Sequence, residues 1–213
     1  MAITATDNRV LADILAPAGG AARLVRQALL VALGIAALGV AAKISVPMWP
    51  SPVPVTLGTF AVLTIGAAYG PRLGLVTILG YMLIGALGFD VFAGSSAEKN
   101  GIAYMMGGTG GYLAGYVLAT LFLGWAARRG WDRSVLWMAL ALLIGNLIIY
   151  VPGVAWLYQI VAGGAFDPAT HASAWDQTMA WGLTPYLIGD ALKLALAALV
   201  LPGLWRLVGD ARG

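Results

Sequence analysis

The sequence has no cysteine, a single histidine and few charged side chains, and each of these shortages excludes a class of protein. Without cysteine the chain can form no disulfide, no thiolate metal site and no cysteine nucleophile. One histidine, His171, is too few for a histidine metal centre and argues against a histidine-dependent triad. Charged residues are only 10% of the 213 residues, whereas they are about 25% of a typical soluble domain. The chain is therefore neither a soluble globular domain nor a nucleic-acid-binding module.

Long apolar runs make up most of the sequence, in which 61% of the residues are hydrophobic. A membrane-spanning helix needs about 20 mostly apolar residues. Six stretches meet or approach that length, so the sequence predicts an all-α membrane protein that folds as a six-transmembrane-helix bundle. The predicted spans are residues 24–46, 55–70, 73–92, 102–127, 134–162 and 178–208.

The basic residues predict how this bundle is oriented. An even number of spans places both termini on the same side of the membrane. If that side is the cytoplasm, nine arginines fall on inner segments, whereas Lys43 and Lys99 fall outside. The positive-inside rule favours this arrangement, with both termini cytoplasmic. The chain then divides into a cytoplasmic N-terminal segment, a transmembrane domain and a cytoplasmic tail, at residues 1–22, 23–208 and 209–213.

Two charged residues, Asp190 and Lys193, lie inside the last predicted span. A charge within a membrane costs several kcal/mol and is a hypothesis of function by default. Because they are three residues apart on a helix, the two side chains share a face. Lysine can bind a carboxylate and aspartate accepts from N–H donors, so the pair suits a ligand that carries both groups. A pair that only neutralises itself is the structural alternative.

The fifth and first predicted spans carry weaker candidates. On the fifth span, Asn146 either binds a ligand or hydrogen-bonds a neighbouring helix, and Tyr150 either walls a pocket or packs. On the first span, alanines recur at intervals of four, a pattern that allows close helix contact. This stripe is either an internal packing face or a docking face for a partner subunit. Its alanines include Ala32, Ala36, Ala37 and Ala41.

Two connections between spans have unusual compositions. The segment 46–56 contains four prolines, which predict a stiff, extended chain. The glycine-rich segment 107–115 predicts close approach of the backbone to its neighbours. It is not a phosphate loop, because no GK[ST] follows it, and the sequence has no Walker motif elsewhere. Any ATP hydrolysis therefore has to come from a partner.

Four segments, taken in order, resemble one known family. They are VPVTLGTFAVL, GALGFDVFAG, GGTGGYLAGY and PYLIGDALKLALA, spread over about residues 46–199. In content and spacing they are similar to the biotin-specific S component of energy-coupling factor (ECF) transporters, the BioY family. The chain departs from the family pattern at Gly58, where glutamine is usual, and at Gly108, where proline is usual.

The resemblance implies a multi-pass protein of the bacterial inner membrane that captures biotin at the external face and releases it inward. It implies a transmembrane coupling protein and two ABC-type ATPases as partners, with ATP used only by those subunits. Membrane lipid surrounds the chain, and neither an enzymatic activity, a resident cofactor, a metal nor a nucleic acid is expected.

Particular residues also match the family pattern. Asp190 and Lys193 match its D-x-x-K, so Lys193 is expected to bind the biotin carboxylate and Asp190 to face the ureido group. The reverse geometry, with Lys193 held by Asp190 alone, stays open. The alanine stripe matches an A-x-x-x-A pattern that contacts the coupling protein, in one of two registers, Ala32/Ala36 or Ala37/Ala41. The stretch 95–104 departs from the short glycine-rich loop that the family usually has, but other members place ligand-binding polar residues near it. Lys99, Asn100 and Tyr104 are therefore further predicted ligand contacts.

Three other functions stay open at this point. A solitary biotin carrier would work without ATPases, as a homo-oligomer. An intramembrane enzyme would need a nucleophile–base pair or a metal site, and the sequence offers neither pattern. A purely structural subunit would have no use for the costly Asp190–Lys193 pair.

Overall fold

The computed structural model describes residues 8–14, 19–46 and 55–210, and these are almost entirely helical. A two-residue pair of antiparallel strands sets Ser45 opposite Thr56 on either side of the proline-rich connection, whose residues 47–54 lie outside the described ones. The helices and strands are α1 (Leu11–Ile14), α2 (Ala21–Lys43), β1 (Ser45–Val46), β2 (Val55–Thr56), α3 (Gly58–Ala86), α4 (Gly101–Met105), α5 (Gly110–Arg128), α6 (Val135–Ile160), α7 (Ala174–Gly182) and α8 (Leu187–Asp210).

Five helical stretches in this described part are long and apolar enough to cross a membrane. Three of them, α2, α5 and α6, coincide with the first, fourth and fifth predicted spans. The fourth begins later than predicted, at Gly110, because the short helix α4 and a turn come first. The last predicted span is also divided, because α7 ends at Gly182 and a single 3₁₀ turn, Thr184–Tyr186, with Pro185 near its start, leads into α8.

The second and third predicted spans both lie in α3, which turns back on itself at Gly70. Gly70 has φ 74° and ψ 177°, a conformation outside the helical region, and Pro71 follows it. A methyl group added at Gly74 would lie 3.6 Å from the Cα of Gly66. In a straight helix, residues eight apart are about 12 Å apart along the axis, so the two halves of α3 run side by side.

Glycines allow α5 to pack closely against its neighbours. A Cβ at Gly124 would lie 2.3 Å from the backbone nitrogen of Pro71, and a Cβ at Gly111 would lie 2.3 Å from the carbonyl oxygen of Pro152. Real Cβ atoms do not come so near to backbone, so only glycine fits here. The close approach predicted for the segment 107–115 is confirmed at Gly111.

The two ends of the bundle differ in charge. One end, which we call the arginine end, holds the turn at Gly70, the α5–α6 connection and the end of α8, and Arg128 and Arg133 reach across it to the backbone of residues 8 and 9. Val10 is fully buried there, against Gly70. The described part of the N-terminal segment therefore packs on the bundle.

The opposite end, the cavity end, holds the last residue of α2, the loop 87–100, the start of α5 and the start of α8.

Candidate functional site

A cavity lies among α2, α3, α5, α6 and α8 at the cavity end. This main cavity is mostly apolar and aromatic, with a few polar groups on one wall. Apolar pockets with a few well-placed polar groups are typical small-molecule sites. The lining residues are Leu38, Ala42, Thr56, Gly58, Thr59, Val62, Tyr81, Phe92, Ala93, Tyr104, Thr109, Tyr112, Leu113, Tyr116, Ile149, Tyr150, Gly182, Tyr186, Asp190 and Lys193.

The first turns of α8 bring Asp190 and Lys193 into this cavity. The two side chains share a face, as predicted, and the Lys193 Nζ lies 2.9 Å from Asp190 Oδ1. The same Nζ donates to Thr59 Oγ1 on α3 at 3.2 Å. The hydroxyl of Tyr150 on α6 donates to the other carboxylate oxygen, Asp190 Oδ2. Side chains from three helices therefore meet at one ion pair.

This ion pair is almost completely removed from solvent. The side chain of Asp190 is 8% exposed and that of Lys193 is 13% exposed. In such surroundings an unpaired charge would be costly, and each partner offsets the charge of the other. The pair as a whole is neutral and presents a hydrogen-bond donor beside an acceptor. It can therefore bind a neutral polar group that itself has an acceptor beside a donor.

Aromatic side chains form most of the remaining wall, and several are held by hydrogen bonds to backbone. Tyr112 donates to the carbonyl of Gly182 at 2.8 Å, and Tyr186 donates to that of Trp181 at 2.9 Å. Phe92 is 1% exposed and stacks on Tyr104, with ring centroids 5.2 Å apart. These rings are rigidly placed, which favours a ligand with an apolar body.

The predicted loop residues separate into two groups. Tyr104 is buried, lines the main cavity and donates its hydroxyl to the carbonyl of Ala93. Lys99 and Asn100 do not line it. Lys99 is exposed, and the Asn100 amide donates to the carbonyls of Ser96 and Ala97, at 3.0 Å each, within its own loop. No contact of Lys99 or Asn100 supports the binding role predicted for it.

The two candidates on α6 share one groove, and only one of them also lines the main cavity. Tyr150 lines the main cavity and also a membrane-facing groove between α6 and α8. Asn146 is buried and lines only that groove, and its Oδ1 has no hydrogen-bond partner. Asp190 also lines this groove, so Asn146 shares a space with it, whereas only Tyr150 reaches the main cavity and hydrogen-bonds the ion pair.

Several lining residues have no counterpart among the sequence candidates. Thr59, Tyr112, Tyr116 and Tyr186 line the main cavity, and Thr59 contacts the ion pair directly. The available signal was that these residues lie in the segments that carry the family resemblance: Thr59 in VPVTLGTFAVL, Tyr112 and Tyr116 in GGTGGYLAGY, and Tyr186 in PYLIGDALKLALA. The part of the chain that the structure describes holds no cluster of three or more His, Asp or Glu residues that could bind a metal ion.

Three of the four candidate alanines of α2 are exposed on its outer side. Ala32 and Ala36 are exposed and line a shallow groove, which we call the α2 groove, that runs between α2 and the end of α3. Ala37 is exposed but lies outside this groove, and Ala41 is half-buried against the core. The groove residues are Ala32, Ile35, Ala36, Gly39, Val40, Lys43, Ile44, Ile84, Asp90 and Val91.

Comparison with known proteins adds independent findings. A model of the BioY family matches residues 9–210. Over 175 residues the chain is 37% identical to the probable biotin transporter BioY of Pyrococcus horikoshii, covering 82% of this chain and 93% of that protein. It is 31% identical over 175 residues to the biotin transporter BioY of Thermotoga maritima, with 82% of this chain and 93% of that protein covered.

Among solved structures, the chain is similar to a crystal structure of the S-component for biotin from an ECF-type ABC transporter. The TM-score is 0.71 at 18% sequence identity, with 89% of this chain and 95% of that chain covered. At this identity the similarity shows a shared fold. The resemblance seen in the four sequence segments is confirmed by the family match, which includes them all. The chain belongs to the BioY family.

Proposed function

We propose that this chain is the biotin-binding S component of an ECF-type transporter. The observation that carries the proposal is the buried Asp190–Lys193 pair in the wall of the main cavity, within a chain of this family. Two relatives that match most of the chain are described as biotin transporters. The family is one of transport proteins and not of enzymes.

The chemistry of biotin matches the cavity in two respects. Its bicyclic ring and alkyl chain suit the aromatic walls, and its cyclic urea has N–H donors next to a carbonyl acceptor. The Asp190–Lys193 pair offers an acceptor next to a donor, so the urea can bind to the pair as a whole. In this geometry Lys193 donates to the ureido carbonyl and Asp190 accepts from a ureido N–H, whereas the geometry expected first placed the carboxylate of biotin at Lys193.

The path of the chain supports six membrane passes and cytoplasmic termini. If each half of α3 crosses the membrane, α2, the two halves of α3, α5, α6 and α8 alternate between the two ends of the bundle. The described arginines of the predicted inner segments then lie toward the arginine end, and Lys43 and Lys99 lie toward the other. By the positive-inside rule, the arginine end faces the cytoplasm of a bacterial inner membrane and the main cavity opens outward.

Inward release requires a partner in this proposal. A binding protein can favour inward release only if something binds its inward state better or supplies energy. A coupling protein with two ABC-type ATPases meets that need, and the α2 groove is the surface we assign to the coupling protein. A homo-oligomer that carries biotin without ATPases is the second candidate, and transport in cells that lack any coupling module would favour it.

The test is biotin binding by the purified chain and its Lys193→Ala variant, measured by calorimetry. We expect the variant to bind well over tenfold more weakly, because a buried partner of the ligand is lost. Arg206→Ala, at the exposed far end of the same helix, is the matched control and should bind as the unaltered chain does. The double variant Asp190→Asn/Lys193→Met removes both charges and avoids leaving Asp190 unpaired.

Near-native affinity in both Lys193 variants would contradict the proposal. The methyl ester of biotin separates the two geometries. If Lys193 binds the carboxylate, its replacement should abolish the preference for biotin over the ester. If the pair binds the urea, both ligands should weaken by the same factor.

A further inference from the structure

The loop 87–100 is fastened to the end of α2 by a compact polar cluster. Lys43, the last residue of α2, donates to Asp90 Oδ1, to the Ser95 carbonyl at 3.0 Å and to Ser95 Oγ at 3.2 Å. Ser95 Oγ lies 2.6 Å from the same Asp90 oxygen. Ser95 is buried, whereas the side chains of Lys43 and Asp90 are 35% and 48% exposed. The cluster is therefore accessible from solvent and lies outside the main cavity.

The same loop forms part of the wall of the main cavity. Phe92 and Ala93 line it, and Phe92 fills a space at Gly85 where a Cβ would lie 2.1 Å from the ring. On its inner side the loop is held by Tyr81, whose hydroxyl donates to the Val91 carbonyl at 3.0 Å. The outer cluster and the inner contacts thus hold opposite sides of one segment.

Glycines lie at both ends of this segment. Gly88 has φ 98° and Gly101 has φ 64°, so both adopt the left-handed region that other residues avoid. Such positions can absorb large dihedral changes, as hinge residues do. A third such glycine, Gly94 with φ 71°, lies within the loop, so the loop can change its path once both the outer cluster and the inner Tyr81 and Tyr104 hydrogen bonds open.

We propose that Lys43, Asp90 and Ser95 form a latch that keeps the loop 87–100 closed over a ligand in the main cavity. Lys43 acts as a positioning residue, because it contacts the loop and not the cavity. The proposal rests on the proposed function for the identity of the ligand. It goes beyond that function by assigning ligand retention to a cluster outside the binding site.

The position of the latch connects it to the outer face of α2. Lys43 and Asp90 line the α2 groove, which also contains Ala32 and Ala36. Ala32 and Lys43 are eleven residues apart on one helix, or about 16 Å. A partner seated along this groove would therefore reach the latch without entering the cavity.

The first test is the dissociation rate of labelled biotin from the purified chain. Lys43→Gln and Asp90→Asn should each raise this rate by about two- to fivefold, the range expected for one partly exposed charged contact. The double variant should be no faster than the faster single one, because both changes remove the same contact. Glu98→Gln, an exposed acid in the same loop, is the control and should leave the rate unchanged.

The second test needs no ligand and uses the absence of cysteine in the chain. Ala93→Cys places a unique thiol on the cavity side of the loop, and its rate of reaction with a maleimide reports opening. We expect Asp90→Asn to raise this rate in the Ala93→Cys background and Glu98→Gln to leave it unchanged.

The two tests together distinguish failure of the latch from failure of the proposed function. If the unaltered chain does not bind biotin, the proposed function fails, and faster labelling would still support the latch. If biotin binds and Lys43→Gln and Asp90→Asn release it at the unaltered rate, the latch proposal is wrong, whatever the labelling shows. Unchanged labelling in Asp90→Asn also overturns it.

Discussion

Asp132, like Asp190, is a buried carboxylate, and it lies at the arginine end in the turn between α5 and α6. It is 0% exposed, and its Oδ2 accepts a hydrogen bond from Trp205 Nε1 at 2.5 Å. Its Oδ1 has no hydrogen-bond partner. Burial raises the pKa of Asp132 to about 6, against the opposing effects of the Trp205 hydrogen bond and the Arg133 charge. At neutral pH this site therefore holds a charge that is incompletely compensated.

Replacing Asp132 by Asn should stabilise the protein at neutral pH more than at acid pH. Since the folded-state pKa is raised, the unaltered protein loses stability as the pH rises from about 4 to about 6, and no more above that. A neutral amide avoids this loss, worth on the order of 3 kcal/mol at pH 7.5. Thermal unfolding in detergent at pH 4.5 and pH 7.5 checks it, and an equal effect at both pH values would contradict it.

Among individual residues, the buried charges of the site could be predicted from the sequence, whereas most of its other contacts could not. Asp190 and Lys193 were predictable because a charge in an apolar run is rare and costly. Thr59 and Tyr116 give no such signal, because threonine and tyrosine are common within membrane helices as packing residues. Lys99 and Asn100 were expected near the ligand from the family resemblance. Asn100 hydrogen-bonds the backbone of its own loop, a contact that a resemblance in sequence does not reveal.

Among the helices, α2 has the least buried surface of the candidate membrane spans. Its buried residues, Gly34, Leu38 and Ala42, lie on one side, and Ala32 and Ala36 face outward. Small side chains on an exposed face let a second helix approach closely. The structure therefore favours the Ala32/Ala36 register over Ala37/Ala41 for the proposed docking.

Replacing Ala32 and Ala36 together by Leu should abolish association with a coupling protein and leave biotin binding intact. The two leucines would fill the α2 groove without touching the main cavity. Co-purification with a coupling protein and calorimetry with biotin measure the two properties. Ala37→Leu, on the same helix but outside the groove, is the matched control. If the doubly substituted chain still co-purifies with a coupling protein, Ala32 and Ala36 are not the docking residues. The alanine stripe then has another role, or docking uses the Ala37/Ala41 register.

The positions of the helices were predictable from hydropathy, but their ends were not. The apolar run at residues 102–127 continues through the turn that separates α4 from α5, so length and composition alone predicted one helix. The break is set by tertiary contacts, since Gly110 and Gly111 pack against Trp156 and Pro152. Conversely, the turn at Gly70 was visible as the Gly-Pro boundary between two predicted spans.

For the whole molecule, the proposed orientation can be tested because the chain has no cysteine of its own. Ala97→Cys would place a thiol in the exposed loop at the cavity end, and Arg129→Cys would place one at the arginine end. In intact cells, a membrane-impermeant maleimide should label the first variant and not the second. Permeabilised cells should allow both to react, which controls for accessibility. The opposite labelling would reverse the orientation.

The contacts of the N-terminal segment also constrain the order in which this molecule is assembled. Val10 packs on Gly70, and the carbonyls of Asn8 and Arg9 accept from Arg128 and Arg133, which are 120 and 124 positions later in the chain. During synthesis, residues 8–14 must therefore wait until α5 and the turn after it have been inserted. The contact needs only the first 133 of the 213 residues, so it can close before α6 and α8 are inserted, and a fluorescent probe at Asn8 would report folding of this first part of the bundle.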